Sequence, residues 1–273
     1  MEQPLDGRLL VSDIDGTLIA EDFTIPELSR RRIESFKQYG GLFTLATGRS
    51  VESARYFAEL VHPNCPAIVL NGAGLYDYAQ EKMLYEAPLP LTIRDYLAAA
   101  MEAFPHIGTE VYIGRRLHVL RWSREVEQHI KVERLPVIES TLEEAAGRPW
   151  MKILFADTPE NLLPLQEFTR KYNLVDSYSV STAPIYFEIL YKTANKGNAL
   201  KILADICGIS IDKTYAIGDY YNDIELLQAA GVSAVSANAP DDLKKGADYI
   251  SCHCNEGAVG KFIGYICDEV NLK

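Results

Sequence analysis

The chain has 273 residues, of which 48% are hydrophobic and 24% are charged. This is the composition of a folded globular protein, and it excludes an extensively disordered chain. The length exceeds the usual size of one domain, so we expect two domains or one domain with a large insertion. The net charge of -11 disfavours nucleic acid as a partner, because an acidic surface repels phosphate backbones.

The first residues carry no basic segment followed by an apolar stretch, and no run approaches 18 consecutive apolar residues. The 5 cysteines are odd in number and too sparse for a disulfide framework. The sequence therefore predicts a cytoplasmic protein with reduced thiols and no membrane partner. A Cys-His-Cys run at 252–254 lacks a second ligand pair, so no metal site is predicted there.

Short apolar runs recur in the first and last thirds of the chain, with segments of helical apolar spacing between most of them. This alternation predicts short buried strands in a parallel sheet. The predicted strands are 9–11, 42–46, 67–70, 215–217, 232–235 and 249–251. Predicted helices include one that starts near Pro26 and ends at Gly40, one at 200–207 and one at 259–266.

The pattern changes between about residues 84 and 190, where strands are predicted at 111–113, 117–120, 151–156 and 185–190 around two or three helical stretches. Because strand and helix units of the first kind resume at Lys196, we expect this part to be inserted within the first domain. The predicted fold class is α/β. It comprises a Rossmann-like parallel-sheet core domain at 1–83 and 191–273 and an inserted α+β cap domain at 84–190.

Two aspartates end the first predicted strand, in V-S-D-I-D-G-T-L at 11–18. In an extended segment Asp13 and Asp15 project to the same side, and Gly16 lets the backbone turn sharply. Two ionised carboxylates about 4 Å apart repel by roughly 4 kcal/mol at an effective dielectric of about 20. The pair therefore predicts a bound divalent cation, or a proton held by one carboxyl.

Polar motifs also follow three other predicted strands of the sheet. These motifs supply Thr47, Gly48 and Arg49; Asn71 and Gly72; and Asp219, Asn222 and Asp223. One such residue alone could be a helix cap, but the carboxyl ends of parallel strands meet along one edge, so we expect one cleft to collect them all. Four carboxylates with no histidine in the motifs favour Mg²⁺ over Zn²⁺. Lys196 is a candidate cation for a phosphate group.

Together the motifs resemble the haloacid dehalogenase superfamily of phosphatases, in its Cof-type branch with a large α/β cap. The matching stretches are D-I-D-G-T-L at 13–18, A-T-G-R at 46–49, N-G-A at 71–73, K-G-N-A-L at 196–200 and I-G-D-Y-Y-N-D-I at 217–224. The resemblance continues through A-G-V-S-A-V-S-A-N-A at 230–239. It departs at Tyr220 and Tyr221, where smaller residues are common, and at Ser236, where glycine is common.

The resemblance implies a phosphatase that passes through an aspartyl phosphate. It implies that Asp13 is the nucleophile and that Asp15 is the general acid and base. The implied Mg²⁺ ligands are Asp13, the main-chain carbonyl of Asp15, Asp219 and Asp223, the last as a direct ligand or as an orienting group. The implied phosphoryl-binding and substrate-binding residues are Thr47, Gly48, Arg49, Asn71, Gly72, Lys196 and Asn222, with Thr47 and Lys196 also counted as catalytic.

The resemblance also implies that the inserted domain closes over the cleft and contacts the leaving group. Candidate contacts are Glu110, Tyr112, His118, Arg121, Lys152, Tyr186 and Glu188. The expected partner is a small phosphorylated metabolite, such as a sugar phosphate, pyridoxal phosphate or a flavin-pathway phosphate, and the expected state is a monomer or homodimer. The alternatives are a phosphohexomutase on the same scaffold and a phosphometabolite-binding protein without turnover.

Overall fold

The computed structural model describes residues 3–134 and 136–270. The chain forms two compact units. Unit 1 comprises Met1–Gly48, Ala54–Tyr85 and Asn195–Lys273, and unit 2 comprises Arg49–Ser53 and Glu86–Ala194. Each unit has buried apolar clusters of its own, so each has a separate hydrophobic core.

The elements of both units are numbered here in chain order. The strands are β1 (Leu9–Ser12), β2 (Leu42–Leu45), β3 (Ala67–Val69), β4 (Gly74–Asp77), β5 (Lys82–Glu86), β6 (Gly108–Ile113), β7 (Arg116–Arg121), β8 (Val137–Glu139), β9 (Lys152–Ala156), β10 (Ser177–Ala183), β11 (Tyr186–Tyr191), β12 (Thr214–Gly218), β13 (Val232–Val235) and β14 (Tyr249–Ile250). The helices are α1 (Glu27–Gln38), α2 (Val51–Val61), α3 (Ile93–Ala103), α4 (Arg124–Glu133), α5 (Leu142–Ala145), α6 (Pro159–Tyr172), α7 (Lys196–Cys207), α8 (Ile224–Ala229), α9 (Asp241–Lys244) and α10 (Ala258–Glu269).

A five-stranded parallel sheet forms the centre of unit 1, in the spatial order β14-β13-β12-β1-β2. Both faces are covered, since alternate residues of β1 belong to different cores. Leu10 packs in a cluster with Phe36 of α1 and Phe262 of α10. Val11 packs in the other cluster with Leu200 of α7. Burial on both faces explains why these strands are continuous apolar runs in the sequence.

The third predicted strand has a mixed role in the structure. β3 pairs antiparallel with β4, and a parallel bridge joins Ile68 of β3 to Ala46, the residue directly after β2. Leu70 and Asn71, directly after β3, have φ angles of 52° and 53°. These left-handed residues turn the chain back toward β4, which is why a run that looks like a parallel strand continues as a hairpin.

Unit 2 contains a six-stranded sheet in the order β10-β11-β9-β6-β7-β8. Its pairs are antiparallel except for β7 and β8, which are parallel. On β6, Val111 and Ile113 pack in a cluster with Leu97 of α3 and Leu165 of α6. Successive side chains of a strand point to opposite faces, so the intervening residues of β6 lie on the other face of the sheet. The predicted fold class, a parallel-sheet core with an inserted α+β part, is confirmed.

Within the described residues, no helix combines the length and the apolar character needed to cross a membrane.

Candidate active site

A buried lysine lies between two buried aspartates in unit 1. Lys196 Nζ donates hydrogen bonds of 2.6 Å to Asp13 Oδ1 and of 2.6 Å to Asp223 Oδ1. Lys196 is the first residue of α7, and Asn195 before it caps the helix by accepting from the backbone N–H of Asn198. Buried charges are costly unless they are paired and hydrogen-bonded, so each of the three charged groups depends on the others.

Asp223 is held by both of its carboxylate oxygens. Oδ1 accepts from Lys196, and Oδ2 accepts from the backbone N–H groups of Asp219 at 3.0 Å and Tyr220 at 3.2 Å. This arrangement comes from a single 3-10 turn, Tyr221–Asp223, before α8 begins at Ile224. Asp219 and Asp223 therefore come together through a tight turn after β12 rather than through one face of a regular α-helix.

Asp219 is oriented by neutral donors. Thr17 Oγ1 donates to Asp219 Oδ1 at 3.0 Å, and Asn238 Nδ2 lies 3.4 Å from Asp219 Oδ2 and donates to the Gly16 carbonyl at 2.8 Å. Gly16 has a φ of 75°, and a Cβ there would lie 2.8 Å from the Asp219 carboxyl carbon. The turn after β1 can approach Asp219 this closely only because residue 16 has no side chain.

The carboxylates form a group with the geometry of a cation site. One oxygen each from Asp13, Asp219 and Asp223 lies within 4.8 Å of the others. Burial raises the pKa of Asp13 despite the opposing effect of Lys196, and burial together with Asp223 raises the pKa of Asp219 to about 7. A divalent cation would relieve this desolvation and repulsion, and an all-oxygen donor set suits Mg²⁺. The residues present therefore fit the predicted metal.

Asp15 occupies a different position from the other predicted carboxylates. It is exposed in the turn Ile14–Leu18, and its side chain is outside the group of three carboxylates. The backbone there changes direction, with φ and ψ of -78° and 121° at Asp15 and a left-handed Gly16 next to it. The Asp15 side chain is therefore exposed in this turn, apart from the three grouped carboxylates. The metal-ligand role of its carbonyl stays a prediction.

The loops after β2 and β3 are joined by backbone hydrogen bonds. The Thr47 N–H donates to the Ile68 carbonyl, and the Asn71 N–H donates to the Thr47 carbonyl, both at 2.9 Å. Asn222 Nδ2 donates to Asn71 Oδ1 at 3.3 Å, and a Cβ on Gly48 would lie 2.9 Å from that same oxygen. The structure thus brings these four predicted residues together in unit 1.

Gly72 and Arg49 complete the set of predicted substrate-binding residues. Gly72 has a φ of 91°, and a Cβ there would lie 2.9 Å from the backbone nitrogen of Lys196. Gly72 therefore lies against the start of α7. Arg49 belongs to unit 2, where its Nη1 donates to Ser53 Oγ at 2.9 Å and lies 3.9 Å from Glu133 Oε1.

A family profile matches residues 10–263 of this chain, which is almost its whole length. The chain belongs to the haloacid dehalogenase-like hydrolases. Among its relatives in this family, the Streptococcus pyogenes protein M6_Spy0533 is 30% identical over 94% of this chain and 97% of its own length. The pyridoxal phosphate phosphatase YbhA of Escherichia coli is 27% identical, over 94% of this chain and 97% of its own.

The fold of this haloacid dehalogenase-like hydrolase is also similar to that of solved structures. One is the subclass IIB sugar phosphatase BT4131, with a TM-score of 0.82 and 22% sequence identity, over 95% of this chain and 98% of that one. At this identity the likeness concerns the fold alone. It supports the fold class, which is a parallel-sheet core with an inserted part.

Three neutral residues of this hydrolase were not selected from the sequence although they contact the site. They are Thr17, Asn238 and Ser236, whose Oγ donates to the Gly16 carbonyl at 3.1 Å. Thr17 and Asn238 lie inside stretches that carry the family resemblance, so a signal was present for them, whereas Ser236 is a position where the chain departs from it. Their role was hidden because the function of an uncharged side chain shows only once its partner is located, here the Asp219 carboxylate or the Gly16 carbonyl.

The predicted leaving-group contacts all lie in unit 2, where five of them contact one another or share a neighbour and two do not. Lys152 Nζ donates to Glu188 Oε1 at 2.8 Å and lies 4.7 Å from the centre of the Tyr112 ring. Glu110 contacts His129, whose ring lies 4.9 Å from that of Tyr186. In contrast, two predicted residues have separate partners: His118 Nδ1 lies 2.8 Å from Ser140 Oγ, and Arg121 donates to the carbonyls of Met101 and Phe104.

Proposed function

We propose that this chain is a Mg²⁺-dependent phosphatase that hydrolyses phosphomonoesters of small metabolites through an aspartyl phosphate. The observation that carries the proposal is the buried Asp13–Lys196–Asp223 arrangement, with an Asp219 oxygen in the same group. It combines a candidate nucleophile, a fixed cation and a cation-binding set of oxygens in one place. Phosphoryl transfer depends on such positioning and charge neutralisation.

Asp13 is the proposed nucleophile. Lys196 holds Asp13 Oδ1, which fixes the carboxylate and favours its ionised form, and Oδ2 attacks phosphorus. The new bond joins Asp13 to phosphorus as the bond from phosphorus to the ester oxygen breaks. The Lys196 ammonium assists this step, because it opposes the burial that raises the pKa of Asp13 and disfavours the ionised carboxylate.

Asp15 is the proposed general acid and base. It gives a proton to the departing ester oxygen, and it then takes a proton from the water that attacks the phosphorus of the aspartyl phosphate. The exposed position of Asp15 in the turn supports this role, since the side chain must reach both the leaving group and solvent. The proton returned by water restores Asp15 for the next cycle.

Asp13 and Asp219 are the side chains proposed to hold Mg²⁺, which when bound would neutralise negative charge on the carboxylates and on the phosphoryl group. Both oxygens of Asp223 already accept hydrogen bonds from Lys196 and from backbone N–H groups. We therefore assign Asp223 an orienting role toward Lys196 and the Asp219 loop. Thr47, Lys196 and Asn222 are the proposed phosphoryl-binding residues.

The proposed substrates are small phosphorylated metabolites, since the relatives of this hydrolase include phosphatases named for pyridoxal phosphate and for sugar phosphates. The sparse free cysteines favour a cytoplasmic location. The proposed oligomeric state is a monomer or a homodimer.

The test is release of inorganic phosphate from a panel of phosphorylated metabolites, with Mg²⁺ and with EDTA. We expect release with Mg²⁺, its loss in EDTA, and its loss in Asp13→Asn. Asp205→Asn is the matched control, because Asp205 is exposed on α7. A folded protein that releases no phosphate from any substrate, or an Asp13→Asn variant with full activity, would contradict the proposal. Conversion of a hexose 1-phosphate to the 6-phosphate without phosphate release would indicate a mutase.

A further inference from the structure

Two cysteines of unit 1 contact each other, and we call them the thiol pair. They are Cys65, which lies directly before Pro66 and β3, and Cys207, the last residue of α7. Both are free, and their side chains are hydrogen-bonded to each other. Both also pack against the apolar cluster that contains Ile68 of β3 and Leu203 of α7. The fold therefore brings together two thiols that are far apart in the sequence.

The contacts between α7 and the β3 segment place the thiol pair. α7 packs against β3, and the loop after β3 contacts the start of α7, where a Cβ on Gly72 would lie 2.9 Å from the backbone nitrogen of Lys196. Cys65 precedes β3 and Cys207 ends α7, so the thiol pair joins the opposite ends of the same two elements. Helix and segment run side by side in opposite directions, and packing along their length holds the two sulfurs together.

The members of the thiol pair differ in reactivity. The hydrogen bond between them lowers the pKa of Cys207 and raises the pKa of Cys65, so Cys207 ionises first. Burial raises the pKa of the other cysteines, which are Cys252, Cys254 and Cys267. Cys207 is only partly buried, and Ile206 beside it is exposed. Because the thiolate is the reactive form, an oxidant in solvent meets Cys207 first.

We propose that the thiol pair is an oxidative modification site, where hydrogen peroxide forms a reversible Cys65–Cys207 disulfide that fastens the end of α7 to the segment before β3. This inference is independent of the proposed phosphatase function. The sequence gives each cysteine no partner, and only the packing of α7 against β3 shows which two thiols meet.

The oxidation has two steps. The Cys207 sulfur attacks one oxygen of the peroxide, the O–O bond breaks, and Cys207 becomes a sulfenic acid as the first water leaves. The Cys65 thiol then loses its proton, and its sulfur attacks the Cys207 sulfur. The S–S bond forms, the S–O bond breaks, and the hydroxide takes up that proton and leaves as the second water. The two thiols together lose two electrons, which the peroxide gains.

The disulfide would close a long loop, because the whole of 66–206 lies between its two cysteines. A crosslink that closes a longer loop removes more conformational freedom from the unfolded chain. We therefore expect the oxidised protein to unfold at a higher temperature than the reduced protein, by roughly 5 °C or more.

The experiment treats the full chain with hydrogen peroxide under native conditions, unfolds it, blocks the remaining thiols with iodoacetamide and maps the peptides by mass spectrometry. We expect a crosslinked pair of peptides that carries Cys65 and Cys207 and is two hydrogens lighter than the reduced peptides. Titration of the unfolded protein should show a loss of two thiols per chain. Dithiothreitol should restore both thiols and return Tm to its reduced value.

Cys252→Ala is the matched control, because Cys252 is also a partly buried free thiol of unit 1. It should keep the crosslink and the rise in Tm, and Cys207→Ala should lose both. A wild-type protein without the Cys65–Cys207 crosslink, a crosslink at other cysteines in its place, or an unchanged Tm after crosslinking overturns the inference. If Cys207→Ala does not fold, Cys207→Ser is measured instead, and the wild-type peptide map still decides.

Discussion

Replacement of Gly16 by alanine tests the close approach between the turn after β1 and Asp219. Gly16 has a φ of 75°, and a Cβ there would collide with the Asp219 carboxylate. Alanine in a left-handed conformation costs about 1–2 kcal/mol of stability. The added methyl also forces Asp219 to move away from Thr17, its partner at 3.0 Å. We therefore expect Mg²⁺ affinity to fall about 10- to 100-fold, the usual effect of disturbing the groups that orient a metal ligand.

Gly7 provides the matched control for this prediction. Its φ is 74°, and a Cβ there would meet no atom within 4 Å. Gly7→Ala should lose a similar free energy of unfolding in urea but keep its Mg²⁺ dependence, measured as the Mg²⁺ concentration at half-maximal phosphate release. Equal Mg²⁺ dependence in Gly16→Ala and Gly7→Ala would refute the reasoning, because the collision with Asp219 would then have no consequence.

Two further predictions concern buried charges. Lys196→Met should lower the free energy of unfolding by about 3–5 kcal/mol in EDTA, since Asp13 and Asp223 lose their cation. The exposed Lys201→Met should change it by less than about 0.5 kcal/mol, and similar losses would contradict the pairing. Despite burial, hydrogen bonds with Glu110 and Glu133 raise the pKa of His129, which stabilises the fold fully below about pH 6.5, and this contribution is lost as pH rises toward about 10. The stability difference between wild type and His129→Gln should therefore shrink over that range in urea titrations, and a constant difference would argue against a charged His129.

Much of the fold could be predicted because the parallel sheet of unit 1 is buried on both faces. Its strands are apolar runs that end in polar motifs, as at Val11 and Asp13. β10 was missed because its sequence, S-Y-S-V-S-T-A, is polar and only half-buried. β8 was missed because it is three residues long and Ile138 is exposed. Strands without an apolar face leave no clear pattern in a single sequence.

The candidate site, like the fold, was predicted only in part. Asp13, Lys196, Asp219 and Asp223 were expected together, since motifs at the ends of parallel strands meet at one edge, and the structure places them together. Thr17 and Asn238 could not be selected, because their contacts with Asp219 and with the Gly16 carbonyl join segments that are far apart in the sequence. Only the folded structure shows such contacts.

The most direct test of the central claim is chemical trapping of phosphorylated Asp13. Asp15→Asn should still be phosphorylated by p-nitrophenyl phosphate with Mg²⁺, because that leaving group needs little help from an acid, but hydrolysis of the aspartyl phosphate should be slow without the base. Borohydride reduces an acyl phosphate to an alcohol, so peptide mass spectrometry should find homoserine at position 13. Homoserine at another acidic residue, or none under conditions in which the wild type turns over, would contradict the assignment of Asp13 as the nucleophile.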